Sequence, residues 1–351
     1  MGKNSTDYSS VTVVGLDLAK HVFQVHAIDS EGRVIVARAI RRKDLLAFFE
    51  LLPRCLVGIE ACSSAHHWAR EIGSLGHDAR LMPPAYVKAY VRRQKNDAAD
   101  AAAICEAVTR PSMRFVAVRS LENQATLMRH RVRELLVSQR TQLINALRGH
   151  LAEIGMIAAQ GPKYARELAA RIVTGDDGLP PLVREALTPL VRQLECLDDE
   201  IARADEQIKA IAKADRVARR LMSIPGIGPV TASAIAASVQ DPSAFTSGRA
   251  FAASLGLVPR QNSSGGKERL GRISKMGNRY LRKLLVVGAH AVLFNRERHA
   301  DPLRTWACHL MEKKPFKLVA VALANKLARI AFAVMRDDKV YSKLNSSPAA
   351  A

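Results

Sequence analysis

The sequence predicts an α/β domain at the N-terminus, a helical coiled-coil middle and a mostly α C-terminal region. Three observations carry this division. Residues 11–110 alternate short apolar runs, rich in β-branched residues, with stretches of helical period. From about Leu121 only the helical period is left, and part of it steps in heptads. The last third breaks its helices at two glycine-rich segments, residues 225–228 and 263–266.

Taken in order, residues 11–16 and 22–28 read as strands flanking a corner at 17–21, and Glu31-Gly32-Arg33 turns the chain into a third strand over 34–40. A helix follows around 43–52, then a strand over 56–59 and a helix around 66–75. Gly76-His77-Asp78 turns into a strand over 79–82, and Pro83-Pro84 interrupts before a helix whose first turn holds Asp97 and Asp100. The order βββαβαβα matches a ribonuclease-H-like α/β domain, in which the first and fourth strands lie side by side.

Four acids stand where a strongly basic chain has least reason to put them. Asp17 ends the first strand and Glu60 the fourth, and a carboxylate there is costly to desolvate unless something positive meets it. Asp97 and Asp100 share one face of their helix. Four hard oxygen donors from three elements suit one or two Mg²⁺ or Mn²⁺ ions, with phosphate oxygens completing the coordination. Each acid alone also has a structural reading. Asp97 suits the helix dipole, Glu60 suits a pair with Arg54 or Arg70, and Asp17 suits a pair with Lys20. Cys62, His66 and His67 follow Glu60, but a hard-ion site disfavours thiolate and imidazole, so they read as helix packing.

In the middle region Met128, Val132, Leu135, Gln139, Leu143, Leu147, Leu151 and Ile154 keep a three/four spacing. After a loop at 174–178 and Pro180-Pro181, the residues Leu187, Leu190, Leu194, Leu197, Ile201, Ala204, Ile208 and Ile211 repeat it. The stride fits a coiled-coil hairpin, an intermolecular coiled coil, or two core helices of one bundle. Beyond it, Ile224-Pro225-Gly226-Ile227-Gly228 has the pattern of a helix-hairpin-helix module. There Gly226 and Gly228 would let backbone N–H groups approach a phosphate. A tight helix–helix turn without a ligand has the same pattern.

The segment Asn262-Ser263-Ser264-Gly265-Gly266-Lys267 lies among Arg260, Lys267, Arg269, Arg272, Lys275 and Arg279, with Glu268 as its one acid. This composition reads as an exposed phosphate-binding loop. Its cations suit a pentacoordinate phosphoryl transition state, and a serine hydroxyl there is a candidate nucleophile on a phosphodiester. His290 and His299 are the nearest histidines in sequence, and each reads as a helix-surface residue.

A formal charge of +20 over 351 residues argues for a polyanionic partner, nucleic acid first. With 5% aromatic residues, stacking on splayed bases is expected to matter less than phosphate contact. Five scattered cysteines without a CxxC pair argue against a disulfide framework or zinc site and for a cytosolic chain. No long apolar span and no signal-peptide core are evident, so a membrane is not an expected partner.

Six segments in order then carry a resemblance. They are Gly15-Leu16-Asp17-Leu18-Ala19-Lys20, Gly58-Ile59-Glu60-Ala61 and Lys95-Asn96-Asp97-Ala98-Ala99-Asp100-Ala101, then Ile224-Pro225-Gly226-Ile227-Gly228, Leu255-Gly256-Leu257-Val258-Pro259-Arg260 and Ser263-Ser264-Gly265-Gly266. Together they resemble insertion-sequence transposases of the IS110/IS1111 family, also called bridge recombinases, over nearly the whole chain. The resemblance implies a RuvC-like metal-dependent domain at 1–115, a coiled-coil region at 116–214 and a transposase domain with a nucleophilic serine at 215–340. Residues 341–351 are expected to form a disordered tail. The metal set would fall on Asp17, Glu60, Asp97 and Asp100, and the nucleophile on Ser264. Homo-oligomers are implied, dimer or tetramer, in which the acids of one subunit meet the serine loop of another. A structured guide RNA, pairing with element-end and target DNA, is implied as a partner, as is a bacterial, nucleoid-associated location. The implied activity is metal-assisted, serine-mediated strand exchange that moves a DNA element. From the residues alone, a RuvC-like structure-selective endonuclease using metal-activated water and a non-catalytic nucleic-acid-binding protein stay open.

Overall fold

The computed structural model describes residues 7–91, 96–157, 159, 161–174, 178–298 and 301–342. The chain divides into two compact units, Met1–Ser120 and Leu121–Ala351.

The first unit runs β1 (Val13–Asp17), β2 (Val22–Ile28), β3 (Val34–Arg41), α1 (Leu45–Glu50), β4 (Leu56–Glu60), α2 (Ala65–Ser74), β5 (Asp78–Met82), α3 (Pro84–Val87) and α4 (Asp97–Val108). Its sheet has the order β3-β2-β1-β4-β5. The first three strands are antiparallel neighbours, whereas β4 joins β1 and β5 joins β4 in parallel. The expected adjacency of the first and fourth strands is therefore present, with Leu16 opposite Ile59. Pro83-Pro84 does more than interrupt. Pro84 starts the short helix α3, where its fixed φ suits a first helical turn.

Side chains alternate across the sheet. Val14, Leu16, Val57 and Ile59 point to one face and join Phe49 of α1 with Trp68 and Ile72 of α2 in the main core. Val13, Gly15 and Asp17 point to the other, as do Gly58 and Glu60. That second face carries α4, whose Ile104, Ala107 and Val108 pack with Met82 and Val87.

The second unit runs α5 (Leu121–Glu153), α6 (Pro162–Thr174), α7 (Pro181–Ala214), α8 (Arg216–Leu221), α9 (Pro229–Ser238), α10 (Gly248–Ser254), β6 (Pro259–Gln261), β7 (Leu270–Ile273), α11 (Arg279–Phe294), α12 (Pro302–Met311) and α13 (Phe316–Arg336). Along the two long helices Arg129 bonds Gln207, Arg133 bonds Asp205 and Arg140 bonds Asp198, so α5 and α7 are antiparallel partners within one chain. The stride of α7 is realised in buried Leu187, Leu194, Leu197, Ile201 and Ile208. Of the apolar stride in α5 only Leu147 and Leu151, at the far end, are deeply buried, with Leu168 and Ile172 of the unforeseen helix α6 against them. Met128, Val132 and Leu135 stay more than half exposed, because the Arg–acid arms face α7 there instead.

Two further readings are corrected. The exposed glycine–serine loop is the tip of a β-hairpin, β6–β7, whose two strands went unread in a segment expected to be helical apart from its loops. A long apolar span is also present: α13, with 21 residues, is long and apolar enough to cross a membrane by length and composition. Its Val319, Leu323, Leu327, Ala331 and Phe332 lie in the core of the second unit beside Leu285 and Ala289 of α11, so its apolarity has a use inside the protein.

Candidate active site

Two glycines shape the acidic end of the first unit. Gly15 and Gly58 stand opposite each other in the β1–β4 ladder. A Cβ on Gly15 would come within 2.2 Å of the Ala101 carbonyl oxygen and 2.5 Å of the Cys105 nitrogen, and one on Gly58 within 2.8 Å of Val108 Cβ. The backbone of α4 therefore lies directly on the strands, as only glycine permits. Asn96 caps the helix, its Oδ1 accepting the Ala99 N–H at 2.7 Å. Lys95, which precedes the cap in the motif, lies outside the described residues.

This seating brings the first turn of α4 over the end of β1. Carboxylate oxygens of Asp17, Asp97 and Asp100 lie within 4.8 Å of one another, with Asp17 and Asp100 half-buried and Asp97 exposed. Glu60 ends the neighbouring strand on the same face and is also half-buried, but it is outside that close trio. The trio offers hard anionic oxygens converging from a strand end and a positive helix N-terminus, a donor set of the type that holds Mg²⁺ or Mn²⁺. His66, by contrast, is buried and accepts the Arg119 N–H at 3.2 Å, while His67 faces Glu71 at 3.7 Å. Both do structural work.

In the second unit the hairpin β6–β7 exposes residues 259–272 without interruption. Gly265 and Gly266 have φ of +57° and +75°, the two left-handed positions of a type I′ turn, and Lys267 N–H closes the turn on the Ser264 carbonyl at 3.1 Å. The paired serines differ. Ser263 Oγ accepts the Arg269 N–H at 3.2 Å, a strand-to-strand tie. Ser264 stands at the turn, exposed, and its hydroxyl makes no hydrogen bond among the described residues. Lys267, Arg269, Arg272 and Lys275 are exposed and have no acidic partner among the described residues, whereas Arg260 donates to the Ser274 carbonyl at 3.3 Å.

The hairpin is held at its base by residues whose role the sequence does not advertise. A Cβ on Gly277 would lie 1.8 Å from the Ser254 carbonyl oxygen, and one on Gly256 2.3 Å from that of Met276. Arg282 donates to the carbonyls of Leu255 and Met276 at 2.7 and 2.9 Å, and Asn325 to that of Leu257 at 3.1 Å. In the sequence only the motif at 255–260 points here. The roles of Arg282 and Asn325 depend on α11 and α13 returning to the same place.

The two glycines at 226 and 228 separate in role. Ile224-Pro225-Gly226-Ile227 is a type II turn, closed by Ile227 N–H to Ile224 C=O at 3.0 Å, with Gly226 at φ +86°. Gly226 faces inward, since its Cβ would come within 2.8 Å of the Gly288 carbonyl oxygen in α11. Gly228 caps α9 with open space beside it, leaving the start of that helix approachable. Of the histidines nearest the serine in sequence, His290 lies in α11 against Phe294 and Phe316, and His299 lies outside the described residues.

Two family models match separate parts of the chain. A family model described as the IS116/IS110/IS902 transposase family matches residues 218–303. A second transposase model, for IS110 proteins with the DEDD (Asp-Glu-Asp-Asp) designation, matches residues 14–156. The chain is 48% identical over 330 residues to a probable family 20 transposase of Pseudomonas aeruginosa, covering 93% of this chain and 98% of that protein. It is 39% identical over 334 residues to the transposase for insertion sequence element IS1328 of Yersinia enterocolitica, covering 95% and 99%. It is also 39% identical over 340 residues to the transposase for insertion sequence element IS1111A of Coxiella burnetii, covering 97% and 93%.

Proposed function

The chain belongs to the IS110/IS1111 family of insertion-sequence transposases and is a DNA transposase; from that premise we propose that it cuts and exchanges DNA strands through Ser264, with a divalent ion held by its acids. The observation that carries the serine half is the contrast within the hairpin. Ser263 is engaged by the strand opposite, while Ser264 presents an unbonded hydroxyl among cations that no carboxylate neutralises among the described residues.

In this reading Ser264 Oγ attacks the scissile phosphorus, the bond to the leaving sugar oxygen breaks, and the strand end is kept as a phosphoserine ester. A sugar hydroxyl of another strand then attacks that ester and releases Ser264. One P–O ester bond forms for each one broken, so no energy source is consumed. Lys267, Arg269, Arg272 and Lys275 with Arg260 offset the charge of the five-coordinate phosphorus. Gly228 and the start of α9 grip the duplex backbone elsewhere, with Gly226 supporting them through its packing on Gly288. Asp17, Asp97 and Asp100, with Glu60 beside them, would hold Mg²⁺ or Mn²⁺. Such an ion supplies charge neutralisation at a phosphate and lowers the pKa of a coordinated hydroxyl. The labour divides among residues 1–115, which carry the acids, a helical connector at 116–214, and 215–340, which carry the serine. A structured guide RNA and assembly as a dimer or tetramer belong to the same proposal, in the bacterial cytoplasm at the nucleoid. The charge of +20 supports a large polyanionic load.

The deciding experiment incubates the protein with Mg²⁺, its candidate RNA and element-end DNA and looks for a denaturation-resistant protein–DNA adduct. An adduct formed by the parent and by Ser263→Ala, but absent from Ser264→Ala, is expected. Cleavage that survives Ser264→Ala and is abolished in Asp17→Ala would mean hydrolysis by water, overturning the serine step.

A further inference from the structure

The nine phenylalanines are not used alike. Eight are buried or half-buried, whereas Phe294, the last residue of α11, keeps 72% of its surface exposed. It is not a loose surface ring. Its centroid lies 5.3 Å from that of Phe316 at 41°, and 6.3 Å from that of His290 at 80°, while His290 and Phe316 are themselves 5.3 Å apart. The three rings form one ordered cluster with Phe294 outermost. The segment that delivers Phe316 reads Lys313-Lys314-Pro315-Phe316-Lys317, and all three of its lysines are exposed with no acidic partner among the described residues. Phe294 closes a 16-residue helix whose start is the base of the serine hairpin. At 1.5 Å per residue the cluster therefore stands about 22 Å along that helix from the hairpin.

We propose that this cluster is a second nucleic-acid contact, a stacking platform for an unpaired base of single-stranded DNA, with Lys313, Lys314 and Lys317 on the flanking phosphates. An ordered aromatic ring beside cations is what an unpaired strand requires, because every base has a face to stack and every linkage a charge to offset. A duplex offers no such face. A second copy of the chain fits the surface worse, since a two-fold contact centred on Phe294 would bring both lysine trios, six cations in all, into one interface. DNA is the occupant because the chain is a DNA transposase, and strand exchange must leave bases unpaired next to the cut. The inference rests on that family membership and not on Ser264 or the metal.

The test measures binding of the full-length protein to a labelled oligo(dT) and to a blunt duplex by fluorescence anisotropy. Phe294→Ala should weaken oligo(dT) binding about tenfold or more and leave duplex affinity unchanged. Phe294→Trp should restore the affinity and have its indole emission quenched as oligo(dT) is added. Lys314→Ala with Lys317→Ala should flatten the salt dependence of oligo(dT) binding, by about 0.7 unit of slope for each phosphate no longer neutralised. An unaltered oligo(dT) affinity in Phe294→Ala, an equal weakening on duplex, or tighter binding of oligo(U) RNA than of oligo(dT) would each overturn the proposal. So would a change in sedimentation on Phe294→Ala, which would identify an interface between copies. Because the assay involves no cleavage, failure of the serine mechanism leaves its outcome untouched.

Discussion

Three carboxylates within 4.8 Å of each other repel unless a cation joins them, and that repulsion is measurable without any reaction. Asp97→Asn removes the exposed member of the trio and keeps its shape. In EDTA the variant is expected to melt a few degrees above the parent, because like-charge repulsion is relieved at no cost in packing. Added Mg²⁺ or Mn²⁺ should then raise the melting temperature of the parent and leave that of Asp97→Asn nearly unmoved, with DNA cleavage abolished and DNA binding retained. An unchanged response to the ion in the variant would remove Asp97 from the metal set. At this scale the sequence was legible where chemistry conflicted with place: an acid closing a buried strand, or two at a helix start in a basic chain. It was illegible where two like residues adjoin. Nothing in Ser263-Ser264 says which hydroxyl the opposite strand takes, since that depends on the hairpin register bringing the Arg269 N–H to Ser263. Nor does the pattern show that Gly226 turns inward to Gly288 while Gly228 opens outward.

At the scale of elements, the acidic site exists because α4 can lie on β1 and β4 without side chains between them. The two glycines are not equally tight. An added methyl at Gly15 meets backbone, the Ala101 carbonyl and the Cys105 nitrogen, neither of which can step aside without moving the helix. At Gly58 the contacts are looser, Val108 Cβ at 2.8 Å with the Ile104 carbonyl oxygen and the Met82 methyl at 3.1 Å, and the methyl can rotate away. Gly15→Ala should therefore cost more than Gly58→Ala, about 3 kcal/mol or more against about 1–2, read from Trp68 fluorescence in a Trp306→Phe background during urea unfolding. Equal destabilisation, or the reverse order, would contradict this seating of α4. The order of strands and helices in the first unit was readable because apolar period and burial coincide there. The hairpin β6–β7 was not, because both its faces are exposed and it lacks the alternation that marks a half-buried strand. Helix α6 escaped for a different reason: its apolar Leu168, Ala169 and Ile172 acquire a partner only when α5 and α7 close into a hairpin.

Across the molecule, the second unit contains a tie that makes its stability depend on pH. His130 of α5 is 1% exposed, with Nδ1 3.1 Å from the Tyr280 hydroxyl and Nε2 3.2 Å from Ser233 Oγ, so one ring joins α5, α9 and the start of α11. Neutral imidazole has one donor and one acceptor, which the two hydroxyls match; imidazolium would offer two donors. Burial, and secondarily the charge of Arg133, push its pKa down to about 4 from 6.5, and burial pushes Tyr280 up to about 12, so both groups are neutral at pH 7. The consequence has a definite sign. Between pH 6.5 and 4 the unfolded chain takes up a proton at this histidine that the folded chain refuses, so stability falls as pH falls, by about 2 kcal/mol at pH 5 and about 3 below pH 4. The chain has two tryptophans, one in each unit, and Trp68→Phe leaves Trp306 as a reporter of the second. In that background, urea midpoints should drop between pH 7 and pH 5. His130→Gln should be less stable than the parent at pH 7 but lose much less on acidification, because its amide keeps a donor and an acceptor and does not titrate. The same slope in both proteins would show that another group sets the acid response, and would reduce His130 to one polar contact among many. If the slope does follow His130, the residue joins the turn at Gly228, through Ser233 on α9, to the base of the serine hairpin, through Tyr280 on α11. Acid would then loosen the turn at Gly228 and the hairpin carrying Ser264 in a single step.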